Sequence, residues 1–167
     1  ASHQRAMQTQ VMTIAPRLRT SKMNNLLNWN YRQLIPSELL MKKNAEMGVI
    51  LYSSAELTAI DLVQFASHVG GYQRAATVLA ELMESVDIER IESVLPYTTT
   101  ATVQRLGYLL EFILEEQHKA DKLYKLLKAS TPKWKKILMS NTSEEKSSSM
   151  GNRWHVNMNI EIEIDDL

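Results

Sequence analysis

The hydrophobic pattern of this chain changes period at Ser53, and no other feature limits its fold as tightly. Upstream, β-formers alternate or cluster in short runs: Gln10 to Ile14, Leu26 to Arg32 with Leu27, Trp29 and Tyr31 on one face, and Gly48 to Tyr52 after a turn at Ala45 to Gly48. Alternation at period two lays one face of a strand on a core, so the pattern predicts three or four strands before residue 53. Pro36 suits a first helical position and breaks a sheet ladder, which predicts a helical turn at Ser37 to Leu40.

From Ser53 onward apolar residues recur at helical spacing. Ser53-Ser-Ala-Glu56 reads as a capping box, with the serine oxygen on an orphan amide and Glu56 reaching back to the cap. The helix that follows should run to about His68, its apolar residues Leu57, Ile60, Leu62, Val63 and Phe65 covering much of the circumference, and end at Gly70-Gly71. A second helix is expected from about Tyr72 to Ser85, with Ala75, Leu79, Leu82 and Val86 as its stripe. Asp87 should cap a short helix ending before Pro96, and Thr98 to Thr100 a longer one from about Ala101 to Gln117 striped by Val103, Leu106, Leu110 and Ile113. Inside the longer helix Gly107 costs about 1 kcal/mol relative to alanine, which predicts a tight approach of another element there. A fifth helix, from about Lys119 to Ala129, turns Leu123, Leu126 and Leu127 inward.

Residues 130–152 read as a loop with the polar core Ser143 to Ser149. Beyond them Val156, Met158, Ile160, Ile162 and Ile164 alternate with His155, Asn157, Asn159, Glu161 and Glu163, the pattern of a half-solvated strand. The expected class is α+β: N-terminal antiparallel strands, a bundle of about five helices, and a C-terminal strand rejoining a sheet. These form one domain over residues 1–167, β-rich over residues 1–52 and helical over residues 53–129, with a loop at 130–152 and a strand at 153–165.

With 44% hydrophobic and 23% charged residues and no apolar run near bilayer length, the chain is read as a soluble cytoplasmic protein without a membrane partner. Absence of cysteine excludes disulfides, thiolate catalysis and cysteine-containing zinc sites. Ala1 is not an initiator methionine, which suggests a processed or excised product.

Candidate chemistry is sparse. His155, Asn159, Glu161 and Glu163 share a stretch that could present metal ligands, but one-face side chains lie about 7 Å apart along a strand, and alternate polar residues are what any half-wet strand shows. His3, His68, His118 and His155 lack the spacing of zinc enzymes. Glu56 and Asp61 sit five apart without a nucleophile or second acid, so a hydrogen-bonded structural role is the better reading of Asp61. Gly70-Gly71 lies between helices, not between strand and helix, and makes no phosphate loop. No catalytic, cofactor or metal residue is assigned.

Charge is sorted along the chain although it sums to zero: residues 1–43, 44–118, 119–136 and 137–167 carry net +6, −8, +6 and −4. Lys119, Lys122, Lys125 and Lys128 recur every three residues and drift about 60° per step around a helix, with Lys133, Lys135 and Lys136 following beside Trp134. Two readings stand: a broad cationic surface for phosphate contact, or a solvated face whose lysine stems cover apolar surface. The candidate contact surface is Lys119, Lys122, Lys125, Lys133, Lys135 and Lys136, with the basic start Arg5, Arg17, Arg19 and Lys22 as a second patch.

Four blocks, in order, carry a family resemblance: Ala1 to Arg5 with the strand at Gln10-Val11; Leu51 to Val63, with its small-residue cap, Glu56 and Ala59-Ile-Asp-Leu62; the helices of His68 to Glu84 and Thr102 to Leu114; and Gly151 to Asn159 with its tryptophan. Together they resemble the C-terminal region of the AbiEi family, antitoxins and autorepressors of abortive-infection toxin-antitoxin pairs. Ala6 departs from it, standing where members often carry proline, and so does the stretch around Glu144-Glu145. The resemblance implies a non-enzymatic antitoxin of a type IV system, paired with a nucleotidyltransferase-like toxin. It also implies operator DNA as a partner through an N-terminal winged-helix domain expected upstream of Ala1. Alternatives are a transcriptional regulator with a ligand-sensing or dimerising domain, and a degenerate restriction-endonuclease-like domain built on Glu56 and Asp61.

Overall fold

The computed structural model describes residues 9–13, 29–33, 40–45, 48–141 and 151–164. The chain divides into two units, residues 1–38 and 39–167. In the first, β1 (Thr9–Thr13) and β2 (Trp29–Gln33) pair in parallel, Thr9 opposite Trp29 and Thr13 opposite Gln33. Parallel pairing needs a crossover of about a dozen residues or more, and the separation between β1 and β2 is long enough to supply it. The antiparallel arrangement expected near the N-terminus is found in the second unit, where β3 (Leu40–Ala45) and β4 (Gly48–Ser53) close a hairpin with Ala45 opposite Gly48. Gly48 takes φ +131°, which the expected turn requires and a side chain would resist. The helical turn read at Ser37 to Leu40 lies outside the described residues save for Leu40, which begins β3.

The α+β class is as expected, and the period change falls where the helices begin. α1 (Ala55–Gln64) is capped by Ser54, whose hydroxyl accepts from the Leu57 amide at 3.2 Å. The reciprocal half of the capping box is absent: with the cap at Ser54, Glu56 lies on the first turn, and its carboxylate accepts instead from the Asp87 amide at 3.1 Å. α1 gives way to a 3₁₀ turn at Ala66–His68, and Gly70 and Gly71, at φ +101° and +90°, lead into α2 (Gly71–Leu82). Asp87 caps as expected, accepting from the Glu89 amide, but the turn it opens, Ile88–Ser93, is 3₁₀. Thr99 caps α3 (Thr100–Phe112) through the Thr102 amide at 3.1 Å, and α4 (Gln117–Ser130) follows.

α3 packs against both α1 and α4. Its Leu106, Leu109 and Leu110 are fully buried with Leu57, Ile60, Leu79, Leu123 and Leu127. Each such side chain withdrawn from water contributes about 1.5–3 kcal/mol. Between α3 and α4 Glu115 adopts left-handed backbone, φ 55°, which turns the Glu116 amide back onto the Leu110 carbonyl at 2.7 Å.

β5 (Ile137–Leu138) and β6 (Val156–Asn157) form a short parallel pair. The long C-terminal strand read from Val156 to Ile164 is therefore reduced to two ladder residues, and what continues the attachment is side chains. Asn159, expected on the wet face, is 2% exposed: its amide donates to the Ser140 carbonyl at 2.8 Å and accepts from the Ser140 amide at 2.9 Å, as a paired backbone would. Further on, the Gln73 side-chain amide on α2 bonds both the carbonyl and the amide of Glu163.

Candidate binding surface around α4 and the closing turn

α3 holds much of the chain beyond α4. Gln104, 2% exposed, donates from its side-chain amide to the Lys135 carbonyl at 2.9 Å and the Trp154 carbonyl at 2.6 Å. The Arg105 guanidinium donates to the Leu138 carbonyl at 3.0 and 2.9 Å and to Asn141 at 3.2 Å. Gly107 is the close-approach site that its helix position predicted: a Cβ built there would overlap the Trp154 indole at Cζ3, Cη2 and Cε3. Trp154 is fully buried, and its Nε1–H donates to Glu111 Oε2 at 2.6 Å.

The same Glu111 oxygen accepts from Arg153 Nε at 2.7 Å, and Arg153 Nη1 meets Asp121 on α4 at 2.7 Å. The guanidinium also lies 4.9 Å from the Tyr124 ring centre and 5.4 Å from that of Trp154. Burial disfavours the Arg153 charge, but the Asp121 and Glu111 hydrogen bonds outweigh it and raise its pKa. The Arg153 hydrogen bond is likewise the first cause that holds the Asp121 carboxyl below its ordinary range. Asn152 shapes the turn, its side-chain oxygen accepting from the amides of Trp154 and Val156 at 3.1 and 3.2 Å. His155 follows in left-handed backbone, φ 55°, with Nδ1 3.3 Å from the Trp134 carbonyl oxygen.

Outside this turn lies a pocket of about 300 Å³ lined by Tyr124, Lys128, Pro132, Lys133, Trp134, Arg153 and His155. Its aromatic walls are mutually braced: Trp134 meets Tyr124 edge to face with ring centres 5.8 Å apart, and His155 tilts against Trp134 at 6.1 Å. Lys128 Nζ stands 5.7 Å from the Tyr124 ring centre. Among the described residues no carboxylate lines the pocket. The carboxylates of Glu111 and Asp121 engage Arg153, whereas the ammonium groups of Lys128 and Lys133 belong to exposed residues.

The basic residues read from the sequence fare unequally. Lys119 pairs with Glu116 at 3.3 Å, and Lys122 with Glu89 at 3.0 Å, so both are partly neutralised. Lys125, Lys133, Lys135 and Lys136 are exposed. Arg5, Arg17, Arg19 and Lys22 lie outside the described residues. Lys128, absent from the candidate set, joins Lys133 at the pocket, and so do Arg153 and His155. The signal for the last two was the consecutive Arg153-Trp-His155, whose alternation suggested a strand and concealed a turn.

The rival acidic pair is not assembled. Glu56 is 1% exposed and holds the Asp87 amide, while Asp61, five residues along α1, lies about 140° away around the helix. Among the described residues no group of three or more His, Asp or Glu is placed to hold a metal ion, and no helix is long and apolar enough to cross a membrane.

Compared with protein families, residues 1–112 match the model described as the AbiEi antitoxin C-terminal domain. No curated protein and no solved structure gives a match. The matched stretch closes at the last residue of α3, so α4, β5, β6 and the pocket lie beyond it.

Proposed function

Since the chain belongs to the AbiEi antitoxin family, we propose that it counters a nucleotidyltransferase-like toxin encoded beside it, in a type IV arrangement and without catalysing a reaction of its own. The family match over two thirds of the chain carries this reading. In a type IV pair the antitoxin protects the toxin's target or reverses its effect, so a stable complex between the two proteins is not required. Autorepression of the operon through a DNA-binding domain N-terminal to this one completes the proposal.

The contact surface we assign to this role is Lys125, Lys133, Lys135 and Lys136, with Lys119 and Lys122 at its margin. Exposed ammonium groups on a helix and the loop after it supply positive charge, which acts on a negatively charged partner at a range set by ionic strength. Coexpression of the full-length protein with the neighbouring toxin tests the reading. Growth should be restored by the wild type and lost when Lys125, Lys133, Lys135 and Lys136 are all replaced by glutamate. Failure of the wild type to restore growth overturns the antitoxin assignment, and undiminished rescue by the fourfold variant overturns the surface.

A further inference from the structure

The pocket between α4, the loop at Pro132 to Trp134 and the turn at Arg153 to His155 has a definite chemistry. We propose that it binds a single nucleotide, the base against the Trp134, Tyr124 and His155 rings and the phosphate against Lys128 and Lys133. The inference goes beyond the antitoxin reading and does not depend on it.

Three observations point to this ligand. Among the described residues the lining combines aromatic rings with basic side chains and includes no carboxylate, which suits an occupant that is planar and rich in acceptors. Base stacking on aromatic side chains with lysines tracking the phosphate is the general solution for such occupants, and it tolerates any base because every base has a π-face. The volume, about 300 Å³, is at the small end of ligand pockets and suits one nucleotide, not a duplex.

Finally, the walls are preorganised. Arg153 is held by two carboxylates and His155 is fixed in left-handed backbone, so little ordering is left for binding to accomplish.

The nucleotide can arrive free or as one residue of a single strand, and the two sources share the same chemistry. Calorimetric titration of the purified chain with AMP, with 5′-phosphorylated hexa-adenylate and with inorganic phosphate separates them. Saturable binding of AMP at one per chain identifies a free nucleotide, and hexa-adenylate binding at one per chain with AMP weaker identifies a strand; either upholds the pocket. Trp134 fluorescence should change on binding, and the Trp134→Phe variant should lose that change.

Replacing Lys128 and Lys133 together by alanine should weaken binding about tenfold, whereas Lys119→Ala with Lys122→Ala should leave it within about twofold, since only the first pair lines the pocket. His155→Asn tolerates the left-handed backbone and should weaken binding several-fold through the lost ring. Three results would overturn the proposal: no saturable binding of either nucleotide at millimolar concentration, inorganic phosphate binding as tightly as AMP, or affinity that follows Lys119 and Lys122 instead of Lys128 and Lys133. None of these readouts involves a toxin, so the pocket and the antitoxin role fail separately.

Discussion

Gly107 and Trp154 form a single packing decision made by two residues 47 positions apart. Inside a helix glycine costs about 1 kcal/mol relative to alanine, and here the cost is accepted because the indole occupies the space of a Cβ. Gly107→Ala gains that propensity but forces a fully buried ring to move. Overpacking typically costs about 1–3 kcal/mol and more where the neighbour is rigid. We expect net destabilisation of about 2 kcal/mol in urea unfolding, and an increase in stability would show that the ring has room to shift. That the glycine marks a close approach was legible in the sequence; its partner was not, because a tryptophan in a run of alternating residues reads as strand. Glu56 is the opposite case, a residue whose cap spacing was plain but whose partner, the Asp87 amide, lies 31 positions away.

Elements were legible wherever a local rule decides them. Thr99 and Asp87 cap because a short oxygen side chain satisfies an orphan amide within two or three residues, and such spacing is visible in any sequence. The C-terminal strand is shorter than its alternation predicts because side-chain amides do the work of a ladder. Asn159 pairs with Ser140 and Gln73 with Glu163, and neither pairing leaves a periodic trace. The joint between α3 and α4 offers a test at this scale. Glu115 holds φ 55°, where a side chain other than glycine costs about 1 kcal/mol and asparagine costs less. Glu115→Asn should therefore raise stability by about 0.5 kcal/mol, read as a higher urea midpoint with an unchanged slope, whereas a lowered midpoint would mean that the carboxylate contributes a contact worth more than the relief.

For the whole molecule, the pairing of Arg153 with Asp121 joins the closing turn to α4, and its stabilising effect is pH-dependent in a direction the structure dictates. The Arg153 hydrogen bond lowers the Asp121 pKa from its ordinary 3.8, so the folded state binds this proton more weakly than the unfolded chain. The contribution is full above pH 3.8 and is lost as pH falls through the depressed value. Asp121→Asn should reduce the urea midpoint at about pH 6, with the gap to wild type closing as both are titrated below 3.8. A gap that persists unchanged in acid would mean that the carboxyl acts through packing and not charge. The sorted charge blocks say nothing of which basic residues meet, and only folding brings Lys128 and Lys133 to the same cavity as Arg153 and His155.

Gln104 and Arg105 hold the outer segments by their carbonyl oxygens at positions 135, 138 and 154. A carbonyl is the same on every residue. Whatever side chains come to stand at 135 and 138, the grip from α3 is unchanged, so the outward face of this domain is free to drift toward new counterparts while the anchoring pair is not. Side chains at 135 and 138 can thus be exchanged for others without loosening what fastens their backbone to the core.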